Sequence, residues 1–343
     1  MQSKSIRQSN MELLRIIAMF LVLIVHANYY SLSAPTTYEI ESEPIPSFFR
    51  CFFQTLSIIC VNVFVLISGW FGMKFSFRSL QSFLFQVLFY SLGIYMIIWM
   101  FGLANFSLKC LLVALLCNHG GMWFIYAYLG LFFLSPVLNA FIENSSKKNV
   151  EICLAVYFCF ELIYGWLLHS SQFNDGSSIL SFIGLYLLAR YLHEFPSCMN
   201  SLSSLKYSIL FIILVLGVSI MHLFCLSSKV EIMHMLSARL FFYNSPYVII
   251  ASVILLLLFS KINFTSRVVN FIAASSFSVY LIHCHGEIFN PLFKKYMIMI
   301  FEKYDGVLYL LIVALSLVLI YLFSLLLDQI RMFLYKRISC LWG

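Results

Sequence analysis

About ten stretches of this chain run for roughly twenty residues each with hardly a charge between them, and that pattern rules out most folds at once. They cover roughly 11 to 33, 48 to 71, 79 to 101, 121 to 142, 150 to 169, 178 to 194, 205 to 226, 245 to 260, 268 to 289 and 307 to 328. About 20 apolar residues in a helix cross the hydrocarbon of a bilayer, and a helix satisfies its own backbone where no water is available. The expected fold is therefore all-α: a polytopic integral membrane protein of about ten transmembrane helices, built as a single domain over residues 1–343. Composition agrees, with 62% of residues hydrophobic and 10% charged, whereas a soluble domain is about 25% charged.

The basic residues set an orientation. If the N-terminus is cytoplasmic, thirteen of the 21 Lys and Arg fall in inner segments, including Lys4, Arg7, Lys74 and Arg78; seven fall outside and Arg15 lies in the first span. That bias places both termini in the cytoplasm. The bases are spread over short loops and form no stripe for nucleic acid, so no nucleic-acid partner is expected; membrane lipid is. Ile16 to Val25, preceded by Lys4 and Arg7, has the look of a leader, but no small-residue cleavage site follows and a retained span is expected. Phe106 to Cys117 is too short to cross and reads as a surface or re-entrant helix. No loop is long enough for an inserted soluble domain, and no internal repeat supports an inverted-repeat transporter. Cys60, Cys153, Cys159 and Cys225 lie in apolar runs as small hydrophobes; Cys110 and Cys117 are the pair that could bridge, with packing the expected role.

Ionisable residues inside spans are candidate functional groups, because lipid penalises them. Glu12, Arg15 and His26 share the first span. Eleven helical steps leave Arg15 and His26 about 20° apart on one face and about 16 Å apart along the axis. One stripe would thus meet an anionic ligand at its inner end and carry a base, His26, further out, since histidine exchanges protons near neutral pH. Arg15 would equally serve as an interfacial anchor paired with Glu12, and His26 as a hydrogen-bonded interior histidine. Glu161, mid-span, needs a partner; His26, Arg190 or a polar group on another helix would each suffice. His283 and His285 are two residues apart, about 200° around a helix, and cannot chelate one ion together, so no metal is expected there. His283 alone is a candidate to line the cavity of His26. In Asn118-His119-Gly120-Gly121-Met122-Trp123-Phe124 the glycines allow a tight turn, and Trp123 is either an interfacial anchor or the wall of a carbohydrate pocket.

Four stretches, taken in order, resemble the acyltransferase 3 family of bacterial membrane acyltransferases. Met11-Glu12-Leu13-Leu14-Arg15-Ile16-Ile17-Ala18, with ten residues between Arg15 and His26, is similar to that family's opening. Val63 to Phe71, containing Ser68-Gly69-Trp70, resembles its second-span signature, and Ser276-Phe277-Ser278-Val279-Tyr280-Leu281-Ile282-His283 its late-span signature. Met122 to Leu131 with Pro136 is similar to the branch that O-acetylates surface glycans. The resemblance implies an enzyme of the bacterial inner membrane that takes an acyl group, most simply acetyl, from acyl-CoA as co-substrate on the cytoplasmic side. It implies delivery to a hydroxyl of a cell-surface or lipid-linked glycan, with no bound cofactor. His26 and Arg15 then become catalytic candidates, and Glu12, Ser68, Trp123, Glu161, Tyr280 and His283 cavity candidates. The family often carries two arginines two residues apart in the first cytoplasmic loop; Lys74 and Arg78 keep the charge without the spacing and are donor-phosphate candidates. A transporter or flippase of a sugar or lipid-linked substrate is the alternative reading of the same buried groups.

Overall fold

Serine punctuates the chain. Ser76, Ser146, Ser178, Ser203, Ser245 and Ser266 each accept a hydrogen bond from a backbone N–H in the first turn of the following helix, so that a polar side chain starts the helix just before the apolar run begins. In the computed structural model, which describes residues 8–102, 106–116, 122–196 and 202–339, those runs form the helices α1 (Ser9–Ala27), α2 (Pro44–Ser57), α3 (Cys60–Phe71), α4 (Phe77–Met100), α5 (Trp123–Asn144), α6 (Lys147–Phe160), α7 (Ile179–Glu194), α8 (Ser204–Ser227), α9 (Pro246–Ser260), α10 (Arg267–Ala274), α11 (Ser276–His283), α12 (Lys295–Lys303) and α13 (Gly306–Ser339). No strand occurs among the described residues. Lys4, Arg7, Cys117 and Asn118 to Gly121 lie outside them.

All ten expected stretches are helical where they are described. Among the described residues, seven helical segments have the length and apolar composition to span a membrane, and α10–α11 with the bent segment through α12 makes an eighth if counted as one span. With α7 and α9, helices of 16 and 15 residues, the ten expected stretches are all accounted for. At 1.5 Å per residue they reach about 23 Å, short of the roughly 30 Å hydrocarbon core. Both are largely buried, so protein and not lipid surrounds them, and the hydropathy of the sequence alone does not separate the two environments.

Burial identifies the centre. In the spans containing α1 and α2–α3, 67% and 72% of the apolar window is buried, against 22% in α4, α6 and α13. Helix α1 packs on α2, α3, α9, α10, α11 and α13, while α13 turns Leu315, Leu319, Leu322, Phe323, Leu326 and Phe333 outward. Outward-facing Leu and Phe in such numbers suit lipid as the solvent. Helices α3 and α7 approach closely at Gly69, where a Cβ would stand 2.6 Å from the Tyr186 carbonyl oxygen. Pro136 inside α5 cannot donate to the Phe132 carbonyl, and the Ser135 hydroxyl donates to it instead at 2.7 Å. The short helix Leu108–Leu115 lies where a surface helix was expected.

Candidate active site

The site is assembled on α1. Along this helix Glu12 is buried, whereas Arg15 and His26 are only partly so, in line with a shared face that leads to open space. Arg15 Nη1 lies 2.5 Å from Glu12 Oε2, one turn away, so the pairing considered from the spacing is present. The helix ends just after His26 because Asn28 leaves helical geometry and its side-chain amide donates to the Arg50 carbonyl on α2 at 2.8 Å. The Ser31 hydroxyl donates back to the His26 carbonyl at 2.6 Å, so one of the free acceptors at the helix end is satisfied.

His26 meets His283, at the end of α11. Their rings face each other with His26 Nδ1 2.8 Å from His283 Nε2, and His283 Nδ1 lies 2.5 Å from the Val279 carbonyl oxygen one turn back. A carbonyl only accepts, so His283 carries its proton on Nδ1 and offers the Nε2 lone pair. His26 therefore donates from Nδ1, and its own lone pair is left on Nε2. A backbone carbonyl thus sets, through two rings, which atom of His26 can take a proton. The Cys284 Sγ sits against the junction, 3.5 Å from His26 Nδ1 and 3.3 Å from His283 Nε2. Tyr30 and Phe289 pack edge-on to the His26 ring at 5.0 and 5.4 Å.

His26 forms part of the wall of a narrow cavity of about 50 Å³, shared with Cys60, Phe64, Trp123, Tyr243 and Tyr280. That is room for a few water-sized groups. Tyr243 also borders a larger cavity of about 440 Å³, lined by Tyr29, Tyr30, Asn174, Asp175, His222, His234 and Ser237 among others. Within it His222 is held between the Ser237 hydroxyl at 3.0 Å and the Tyr29 hydroxyl at 2.9 Å.

Of the residues singled out in the sequence, His26, His283, Trp123 and Tyr280 come together here. Glu12 and Arg15 stand toward the other end of α1. Ser68 is spent on the Phe64 carbonyl at 3.0 Å and the Tyr128 hydroxyl at 3.1 Å. Lys74 and Arg78 lie exposed in and just after the turn that follows α3, which runs back to the end of the bundle where α1 begins. That turn is clamped: the Met73 N–H donates to the Tyr186 hydroxyl at 2.9 Å and Asn139 donates to the Met73 carbonyl at 2.9 Å. Glu161 is buried and opens a π-helical turn, Glu161–Leu167, at the end of α6. His26 is engaged with His283 and Arg190 with Glu194 at 2.9 Å, so neither is the partner of Glu161. Ser181 is near, yet neither carboxyl oxygen has a hydrogen bond of good geometry. His283 and His285 diverge as the helical angle predicts, His285 Nε2 lying 3.2 Å from the Ser91 carbonyl. Sequence reasoning missed Tyr30, Tyr243 and His222 as cavity residues, and it considered Arg190 only as a partner for Glu161, whereas Arg190 lies beneath Gly72 in the clamped turn. Tyrosines and histidines next to a span's polar end were the available signal, but many such residues face lipid headgroups.

A profile of the acyltransferase domain matches residues 8–328. The chain belongs to the acyltransferase 3 family. It is an enzyme of the acyltransferase class carried on a multi-pass membrane fold, and an acyl donor and an acceptor are its substrates. No curated protein and no solved structure matches the chain. The matched region takes in both His26 and His283, so the acyltransferase domain contains the histidine pair in full.

Proposed function

We propose that this acyltransferase moves an acetyl group from acetyl-CoA to a hydroxyl of a cell-surface or lipid-linked glycan at the bacterial inner membrane, with His26 as general base. The observation that carries this reading is the chain of hydrogen bonds from the Val279 carbonyl through His283 to His26, which leaves His26 Nε2 as the proton acceptor. In the proposed reaction that nitrogen takes the proton of the acceptor hydroxyl. The oxygen attacks the thioester carbonyl, the C–S bond breaks and CoA leaves as the thiol, taking from His26 Nε2 the proton that the acceptor hydroxyl gave up. The small volume beside His26, about 50 Å³, favours a two-carbon acyl group over a fatty chain. The cavity of about 440 Å³, lined by tyrosines, histidines and amide side chains, supports a carbohydrate acceptor approaching from the opposite end.

The positive-inside bias supports a cytoplasmic donor. Lys74 and Arg78 would then meet the CoA phosphates, with Arg190 behind the same turn, and Arg15, fixed by Glu12, would orient the donor on the path to His26. The test is CoA release from acetyl-CoA by the protein in nanodiscs, supplied with envelope glycans, beside His26→Ala. Loss of a positioned base removes about 10²- to 10⁴-fold in rate, so the variant should insert and fold normally but release almost no CoA. Acceptor-dependent release by folded His26→Ala at the wild-type rate would overturn the assignment.

A further inference from the structure

We propose that His26 Nδ1, His283 Nε2 and Cys284 Sγ form a binding site for a soft divalent metal ion such as Zn²⁺, and that the ion switches the enzyme off. The expectation of no metal rested on His283 and His285, which diverge. Folding adds one ligand, His26, from 257 residues away in sequence, and the three donor atoms all lie within 4.8 Å of one another.

The geometry is close to what such an ion needs. Tetrahedral zinc, with bonds of about 2.0–2.1 Å to nitrogen and about 2.3 Å to sulfur, sets its donors roughly 3.3 Å (N to N) and 3.6 Å (N to S) apart. The observed separations are 2.8 Å between the nitrogens and 3.3 and 3.5 Å from sulfur to each nitrogen. The triangle must open by about half an ångström on its nitrogen edge and less on the others. His283 is already prepared: a metal-ligating histidine characteristically donates its other ring N–H to a carbonyl or carboxylate, as His283 does to Val279. A thiolate and two imidazoles are a donor set for zinc, copper or cobalt and not for magnesium or calcium. A protein set of three leaves one position for water, anion or substrate.

Binding requires two proton changes. The Cys284 thiol releases its proton to solvent, and the proton on His26 Nδ1 moves to Nε2 so that Nδ1 can ligate. The second change is the switch, because it removes the lone pair that the proposed function assigns to the base. Inhibition therefore rests on that assignment, while binding does not.

The experiment uses full-length protein in nanodiscs, freed of any affinity tag and of metal, titrated with Co²⁺ and then Zn²⁺. The expected result is one Co²⁺ per chain, with tetrahedral visible absorption and a thiolate-to-cobalt band in the near ultraviolet, both abolished by Zn²⁺. Cys284→Ser should lose the thiolate band and His283→Ala should weaken Co²⁺ binding at least about 10-fold, whereas Cys153→Ser, on α6, should change neither. A missing thiolate band, or one that survives Cys284→Ser, would overturn the site; Cys284→Ser is nearly isosteric, and its folding is checked by its elution profile. Saturating Zn²⁺ should also slow acyl transfer by the wild-type chain at least about tenfold relative to its own metal-free rate, as expected for loss of the base. A confirmed cobalt site with transfer untouched by Zn²⁺ would overturn the switch and point away from His26 Nε2 as the base, leaving the metal site standing.

Discussion

At the scale of single residues, the proposed mechanism makes His283 an orienting group for His26 and not a reactant. It touches His26, holds its ring and fixes its tautomer, and it needs the Val279 carbonyl to do so. His283→Ala should then lower kcat by about 10²-fold with little change in KM, since the base remains but its proton is no longer confined to Nδ1. A shifted pH profile in the residual activity would distinguish this from a structural loss, which lowers activity at every pH alike. Transfer by His283→Ala at the wild-type rate and with the wild-type pH profile would show that the pair is packing alone.

At the scale of elements, the family-like signature around Ser68-Gly69 is explained by helix contact more than by chemistry. Gly69 has no room for a side chain: a Cβ would meet the Tyr186 carbonyl at 2.6 Å and Ala189 at 2.9 Å. Helix α7, thus seated on α3, delivers the Tyr186 hydroxyl to the Met73 N–H and so shapes the turn with Lys74. Gly69→Ala should therefore destabilise the fold by about 1–3 kcal/mol through overpacking, seen as a lower unfolding temperature in detergent. Gly217→Ala on α8 is the control; nothing lies within 4 Å of its would-be Cβ, and it should be neutral or stabilising.

At the scale of the whole molecule, one ion pair ties together the end of the bundle where α1 stops. Arg50 on α2 donates to the Leu32 and Ser33 carbonyls at 3.2 and 2.9 Å, pairs with Glu39 at 2.6 Å and lies over the Phe301 ring of α12. Burial pushes the Glu39 carboxyl up, but hydrogen bonds from the Thr36 N–H and hydroxyl and from Arg50 outweigh it and hold the group below its ordinary 4.5. The sign follows: a carboxyl that is more acidic folded than unfolded stabilises the native state above its unfolded value, and that contribution fades as pH falls through the folded one. The protection of Thr37–Ser42 from amide hydrogen exchange, taken relative to the intrinsic rate at each pH, should fall in acid below about pH 4.5, and Glu39→Gln should be less protected near neutrality with that acid step removed. An unaltered acid step in Glu39→Gln would assign it to another group.

Ten apolar stretches, their serine caps and the face shared by Arg15 and His26 are local properties: 3.6 residues per turn, a desolvation penalty and a capping hydroxyl are each written within a few neighbouring residues. The sequence therefore determined an all-helical membrane fold and nominated His26, His283, Trp123 and Tyr280. Only the tertiary structure decided that His26 and His283 touch, that Cys284 sits against their contact, that Glu161 has neither proposed partner, and that α7 and α9 are short helices enclosed mainly by protein. Those are contacts between residues far apart in sequence, and they depend on how helices choose neighbours. In a chain where nearly every helix face is apolar, hydrophobic pattern no longer marks which face turns inward, and small residues and buried polar pairs make that choice instead.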